Sequence, residues 1–132
     1  MSPVFNVSLS ALTAAGKRIA VSANNVANLR SLGAHSDANG VSNGGFTPQQ
    51  VQQTTRADGG VVAKEVPVDP ASVLAFEPNH PDADAEGLVP YPNVDLGEEF
   101  VNQILAERAY EASAKVIQAE DRRLKTLLSI DS

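Results

Sequence analysis

Cysteine and tryptophan are both missing from these 132 residues, and aromatic side chains make up only 5% of them. The first absence excludes disulfides, thiolate metal sites and cysteine nucleophiles. The second leaves few large anchors for a globular core, although hydrophobic residues reach 42%. Ala and Val carry much of that fraction, and such small side chains favour close contact between helices. Basic residues are also scarce: 10 Lys and Arg against 16 Asp and Glu give a net charge of -6. That balance argues against nucleic acid as a partner, because phosphate binding needs a basic face. Every stretch of about 18 residues is interrupted by charges or by several Asn, Ser and Gly, so no membrane insertion is expected. A cleavable secretory signal is not expected either. Residues 1–16 contain no Lys or Arg, and Lys17 and Arg18 fall where the apolar part of such a signal should lie.

What is present divides into three parts. In the first, Phe5, Leu9, Leu12, Gly16, Ile19, Ala23 and Val26 step alternately by four and three. That is the heptad seam of a coiled-coil-like helix, predicted from about Pro3 to Leu32 with Gly33 as its stop. The middle, residues 33–94, holds seven of the nine Gly and seven of the eight Pro. Residues 35–45 read as a mobile loop, whereas Thr47–Thr55 and Val61–Val68 read as strands of a hairpin turning at residues 56–60. Val73–Phe76 is a candidate third strand. The last part opens at Asp95, an N-cap with Glu98 three residues on. Val101, Leu105, Ala109, Ala112, Val116 and Ala119 then form a stripe along a helix of about 35 residues, or roughly 50 Å.

The expected fold is therefore mainly α with a small β insertion. Two long helices, residues 1–32 and 95–132, pair antiparallel as one helical core, and residues 33–94 form the hairpin and loop between them. A hairpin this small cannot cover so long a helix. At about 25 cal/mol per Å² an uncovered apolar stripe is worth many kcal/mol, enough to drive association. The residues expected at that contact are Leu9, Leu12, Ile19, Asn24, Asn28, Val101, Leu105, Arg108, Tyr110, Val116, Leu124 and Leu127.

Several stretches resemble a known family. Residues 77–89, Glu-Pro-Asn-His-Pro-Asp-Ala-Asp-Ala-Glu-Gly-Leu-Val, lead into Pro90-Tyr91-Pro92-Asn93-Val94-Asp95. Together they resemble the hallmark of bacterial flagellar proximal-rod proteins of the FlgC class. Glu99-Phe100-Val101-Asn102, Arg108-Ala109-Tyr110-Glu111-Ala112 and Leu124-Lys125-Thr126-Leu127-Leu128 are similar to that family's last helix. Ser22-Ala23-Asn24-Asn25-Val26-Ala27-Asn28 resembles the asparagine-rich motif shared by rod, hook and hook-associated proteins. Phe5 and Leu9 fit the loose export-gate pattern, and they are equally seam residues at i and i+4. Two places depart from the family: Phe46–Val51 is less basic and aromatic than usual, and Ser113 stands where Asn is common.

The resemblance implies a structural subunit, not an enzyme, of the rod that crosses the periplasm in the flagellar basal body. Its partners would be other rod subunits, further copies of itself and the flagellar type III export apparatus, which needs no cleavable signal. Two other readings of the residues remain: a small helical adaptor, and a calcium-dependent interaction module. The second rests on Asp82, Asp84, Glu86 and Gly87, which imitate the start of an EF-hand loop. However, Asn93 stands where a bidentate Glu is needed, and Pro78 and Pro81 bar the entering helix. His35 and His80 lack a spaced partner, and no nucleophile or phosphate-loop motif appears, so no cofactor is expected.

Overall fold

The computed structural model describes residues 3–32 and 45–130. Its elements run α1 (Pro3–Ala27), β1 (Gln49–Thr55), β2 (Val61–Pro67), β3 (Ser72–Phe76), β4 (Leu88–Pro92) and α2 (Leu96–Ile130). Two long helices thus enclose a small β region in sequence, as the periodicities imply. Both His35 and most of the expected loop at residues 35–45 lie outside the described residues.

The first helix ends five residues earlier than expected. Asn28 donates its side-chain amide to the Asn24 carbonyl at 2.9 Å and to the Asn24 side-chain oxygen at 2.9 Å. Leu29 N–H turns back to the Val26 carbonyl and Ser31 N–H to that of Asn28. Asn side chains compete with the helical ladder in this way, so the polar end of the motif unwinds into a turn. At α2 the expectation is met: the Asp95 carboxylate accepts the Glu98 N–H at 3.0 Å, and its carbonyl accepts the Glu99 N–H at 2.9 Å.

The helices are antiparallel. Asn25 contacts Glu99, whereas Ser22, one turn earlier, reaches Gln103, one turn later. They meet through small and polar groups: the buried apolar side chains of the two helices are Ala14, Ala15, Val21 and Ala106. Buried with them are Ser8, Ser22, Asn25 and Glu120. This corrects the expected seam. The face of α1 that packs is not the Phe5–Val26 stripe but a neighbouring one on which Ser8, Ala15 and Ser22 recur every seven residues. Short side chains let the two backbones approach, and the larger apolar groups are displaced to the sides. The α2 helix is 35 residues long and α1 only 25. The surplus lies at the C-terminal end of α2, where residues 121–130 are all exposed. Arg122, Arg123 and Lys125 consequently stand short of its last turn, which carries no basic residue.

The β1–β2 hairpin lies along α1. Half-buried Gln49, Val51, Val61 and Ala63 alternate with exposed neighbours, the period of strands with one covered face. Its turn is closed by Arg56, which grips Asp58 through two bonds of 2.9 and 2.8 Å and holds that carboxyl below its usual pKa. Gly60 has φ +87°, and a Cβ there would run into the Ser10 hydroxyl. That hydroxyl in turn accepts the Val61 N–H at 3.1 Å, which fastens the turn to the helix. Gly60→Ala should therefore cost about 1–3 kcal/mol in urea denaturation. Gly16→Ala, which meets nothing within 4 Å in mid-helix, should instead stabilise by up to about 1 kcal/mol. Equal stabilities for Gly60→Ala and the parent would remove the turn from the account.

The candidate third strand forms, but not with the first hairpin. β3 pairs antiparallel with β4, from Ser72 opposite Pro92 to Phe76 opposite Leu88. Two hairpins thus stand where one was expected. Between β3 and β4 the acidic turn is organised by Asp84, whose Oδ1 accepts the N–H of Glu86 at 3.0 Å and of Leu88 at 2.7 Å. Gly87 has φ +77° and lies under Pro78 and the Phe76 ring, leaving no room for a side chain. Tyr91 donates its hydroxyl to the Glu77 carboxylate at 3.1 Å, and desolvation together with that bond raises its pKa.

Candidate assembly surface

Asparagine 25 is the point where three elements are tied together. It is 2% exposed. Its amide donates to the Gln49 carbonyl at 2.7 Å and to Glu99 Oε1 at 2.6 Å, while its oxygen accepts the Gln49 N–H at 3.0 Å. One side chain thereby binds the end of α1 to the first residue of β1 and the first turn of α2. Ser22 adds a bond to the Glu99 carbonyl at 3.1 Å and accepts the Gln103 amide at 3.1 Å. Further along α1, Lys17 reaches the Ala63 carbonyl at 3.4 Å and Glu65 at 3.3 Å.

Sequence reasoning missed Asn25, Ser22, Glu99 and Gln103. It picked Asn24 and Asn28 from the same motif, and these form the helix-end turn, with Asn24 exposed and Asn28 half-buried. The signal available was phase: Ala11, Arg18 and Asn25 recur every seven residues beside the Ser8 series, on the side that packs.

With this polar tie fixing the near side of α2, its apolar side is left outward. Glu99, Gln103, Ala106, Ile117 and Glu120 lie on the α1 side. At 100° per residue the mean direction of the stripe from Val101 to Ala119 lies roughly 120° around the helix from theirs. All six of its residues are exposed, with Leu105 at 53% and Val116 at 44%. Phe100 and Ile104 widen it, Leu127 and Ile130 extend it along the overhang, and Leu124 and Leu128 are exposed there in the phase of the α1 side. Total accessible area is 8837 Å², against about 6600 Å² for a compact monomer of this mass.

The other expected contact residues divide. Leu9 is exposed at the groove between α1 and the first hairpin, while Phe5, Leu12 and Ile19 are half-buried. Arg108 points away from α1 and pairs with Glu111 at 3.5 Å. Tyr110, four residues after Ala106, lies on the α1 side and remains 41% exposed. The structure brings Val101, Leu105 and Val116 onto one surface with Leu127, and leaves Tyr110 and Leu12 off it. Among the described residues no helix is long and apolar enough to cross a membrane, and no three His, Asp or Glu side chains are grouped to hold a metal.

The helix pair turns an apolar side outward, and comparison with known proteins gives the class of the chain. Residues 85–130 match the family profile described as flagellar basal body rod FlgEFG protein C-terminal. The relatives narrow it further. The chain is 38% identical to the flagellar basal-body rod protein FlgC of Yersinia enterocolitica, over 94% of this chain and 93% of that one. It is 35% identical to that of Salmonella typhimurium over 94% and 93%, and 31% identical to that of Bacillus subtilis over 95% and 94%. The chain belongs to the FlgC family of flagellar basal-body rod proteins, and it is a structural protein, not an enzyme.

Proposed function

We propose that the chain polymerises through its terminal helices as part of the proximal rod, the section of drive shaft that crosses the periplasm. Its partners in this reading are other rod subunits and further copies of itself. The observation that carries it is the outward stripe of α2, exposed along its length while the polar side of the helix is spent on α1. Unlike surfaces meeting head to tail generate an open helical array, which is what a rod requires. The names of the relatives support a place in the flagellar basal body.

Passage through the flagellar type III export apparatus belongs to the same reading, with Phe5 and Leu9 near the start of α1 as the recognised pair. A core made largely of alanine supports it, because such a chain forfeits little when its helices part. Purified basal bodies probed with an antibody against this chain should contain it in the rod, below the hook. A chain found only in the soluble fraction of motile cells would end the proposal.

A further inference from the structure

The second hairpin has one closed edge and one open edge. The register of β3 on β4 continues outward through Glu77 N–H to the Gly87 carbonyl and Asn93 N–H to the Ala71 carbonyl. Odd-numbered residues of β3 therefore hydrogen-bond to β4, and the backbone groups of Ser72, Leu74 and Phe76 point away from it. On the far side of β4 the corresponding positions are Leu88, Pro90 and Pro92. Leu88 has both its N–H and its carbonyl taken by Asp84, the two prolines have no N–H, and the Pro92 carbonyl accepts the Val94 N–H. That edge cannot receive a strand. The β3 edge can: among the described residues, Ser72, Leu74 and Phe76 have no partner for their outward backbone groups.

The exposed side chains of β3 and the charge of the sequence on either side of it point to what fits the open edge. Leu74 is 58% and Phe76 71% exposed, and both lie on one face of the strand. Residues 65–107 contain ten of the sixteen acidic residues and none of the ten basic ones. That segment carries a net charge of -10, against +4 over the rest of the chain. Asp69 and Glu77 bracket β3 itself. The geometry points to the outer edge of β3 as a docking site for an extended segment in which apolar residues alternate with Lys or Arg. Such a segment adds a strand, its backbone meeting the outward groups of Leu74 and Phe76, its apolar side chains covering theirs and its cations facing the carboxylates. This surface is separate from the α2 stripe, so it stands or falls independently of the rod reading.

The test is titration of the full-length ¹⁵N-labelled chain with a short capped peptide of alternating Val and Lys. Amide shifts should centre on Ser72, Leu74 and Phe76, and affinity should fall as salt is raised. Leu74→Pro removes an outward donor while sparing the ladder to β4, and should weaken binding about tenfold, the worth of one such bond with its side-chain contact. Slow exchange of the Val73, Ala75 and Val89 amides in that variant checks that the hairpin persists. The inference is overturned by no binding to the parent chain, by equal binding of a Val and Glu peptide, by indifference to Leu74→Pro, or by shifts that fall on α2 instead.

Discussion

A chain carrying Leu105→Asp and Val116→Asp together should fold as the parent does and yet build no rod, leaving cells non-motile. The two residues sit on the exposed stripe of α2, at 53% and 44% exposure. In the isolated chain the substitutions touch little: Leu105→Asp costs the lower helix propensity of Asp, roughly 0.5 kcal/mol, and Val116→Asp about nothing by that measure. In an assembled contact each carboxylate would be taken from water into an apolar surface, at several kcal/mol apiece. The prediction thus separates assembly from folding. Helical content and export level should match the parent, while basal bodies stop short of the rod. Rods assembled at the parental level would remove the stripe from the interface.

The second large effect is expected at Asn25. Its replacement by Ala strands the Gln49 carbonyl, the Gln49 N–H and a Glu99 carboxylate oxygen at a nearly closed junction. One charged and two neutral hydrogen bonds lost in this way sum to roughly 2.5–6 kcal/mol, which lowers the melting temperature by about 10–20 °C for a chain of this size. Asn25→Asp should be worse, since it sets a second carboxylate against Glu99. Asn24→Ala, at an exposed helix end, should fall within about 0.5 kcal/mol of the parent. Thermal unfolding followed by circular dichroism decides the matter, and similar losses at Asn24 and Asn25 would refute the three-way tie.

These two residues show what the sequence made legible and what it hid. The stripe of α2 was readable because large apolar side chains at steps of four and three give a strong periodic signal. The capped start at Asp95 and the first hairpin, with its Gly59-Gly60 turn, were readable for a similar reason: their residue types are demanded by local geometry. The packing face of α1 was hidden. Ser8, Ala15, Ser22 and Asn25 are small or polar, so they register weakly beside Phe5, Leu9 and Ile19. Their shortness is nevertheless what allows the helices to meet. β4 was hidden for the opposite reason: Pro90 and Pro92 argue against a strand, and only as an edge with these donor-less positions turned outward can that segment be one. Asn25 was masked by its own motif, whose three asparagines look alike until their phase on the helix is fixed by a partner.

The ten-residue overhang of α2 bears on how load would pass from one molecule to the next. Its length is about 15 Å, and Leu124, Leu127 and Leu128 along it are exposed. In the proposed assembly, a neighbour that covered them would lie past the start of α1, so the two molecules would overlap lengthwise and not meet end to end. In carpentry that is a lap joint. Twisting such a joint shears many side-chain contacts spread over its length, whereas twisting a butt joint concentrates the strain at one plane.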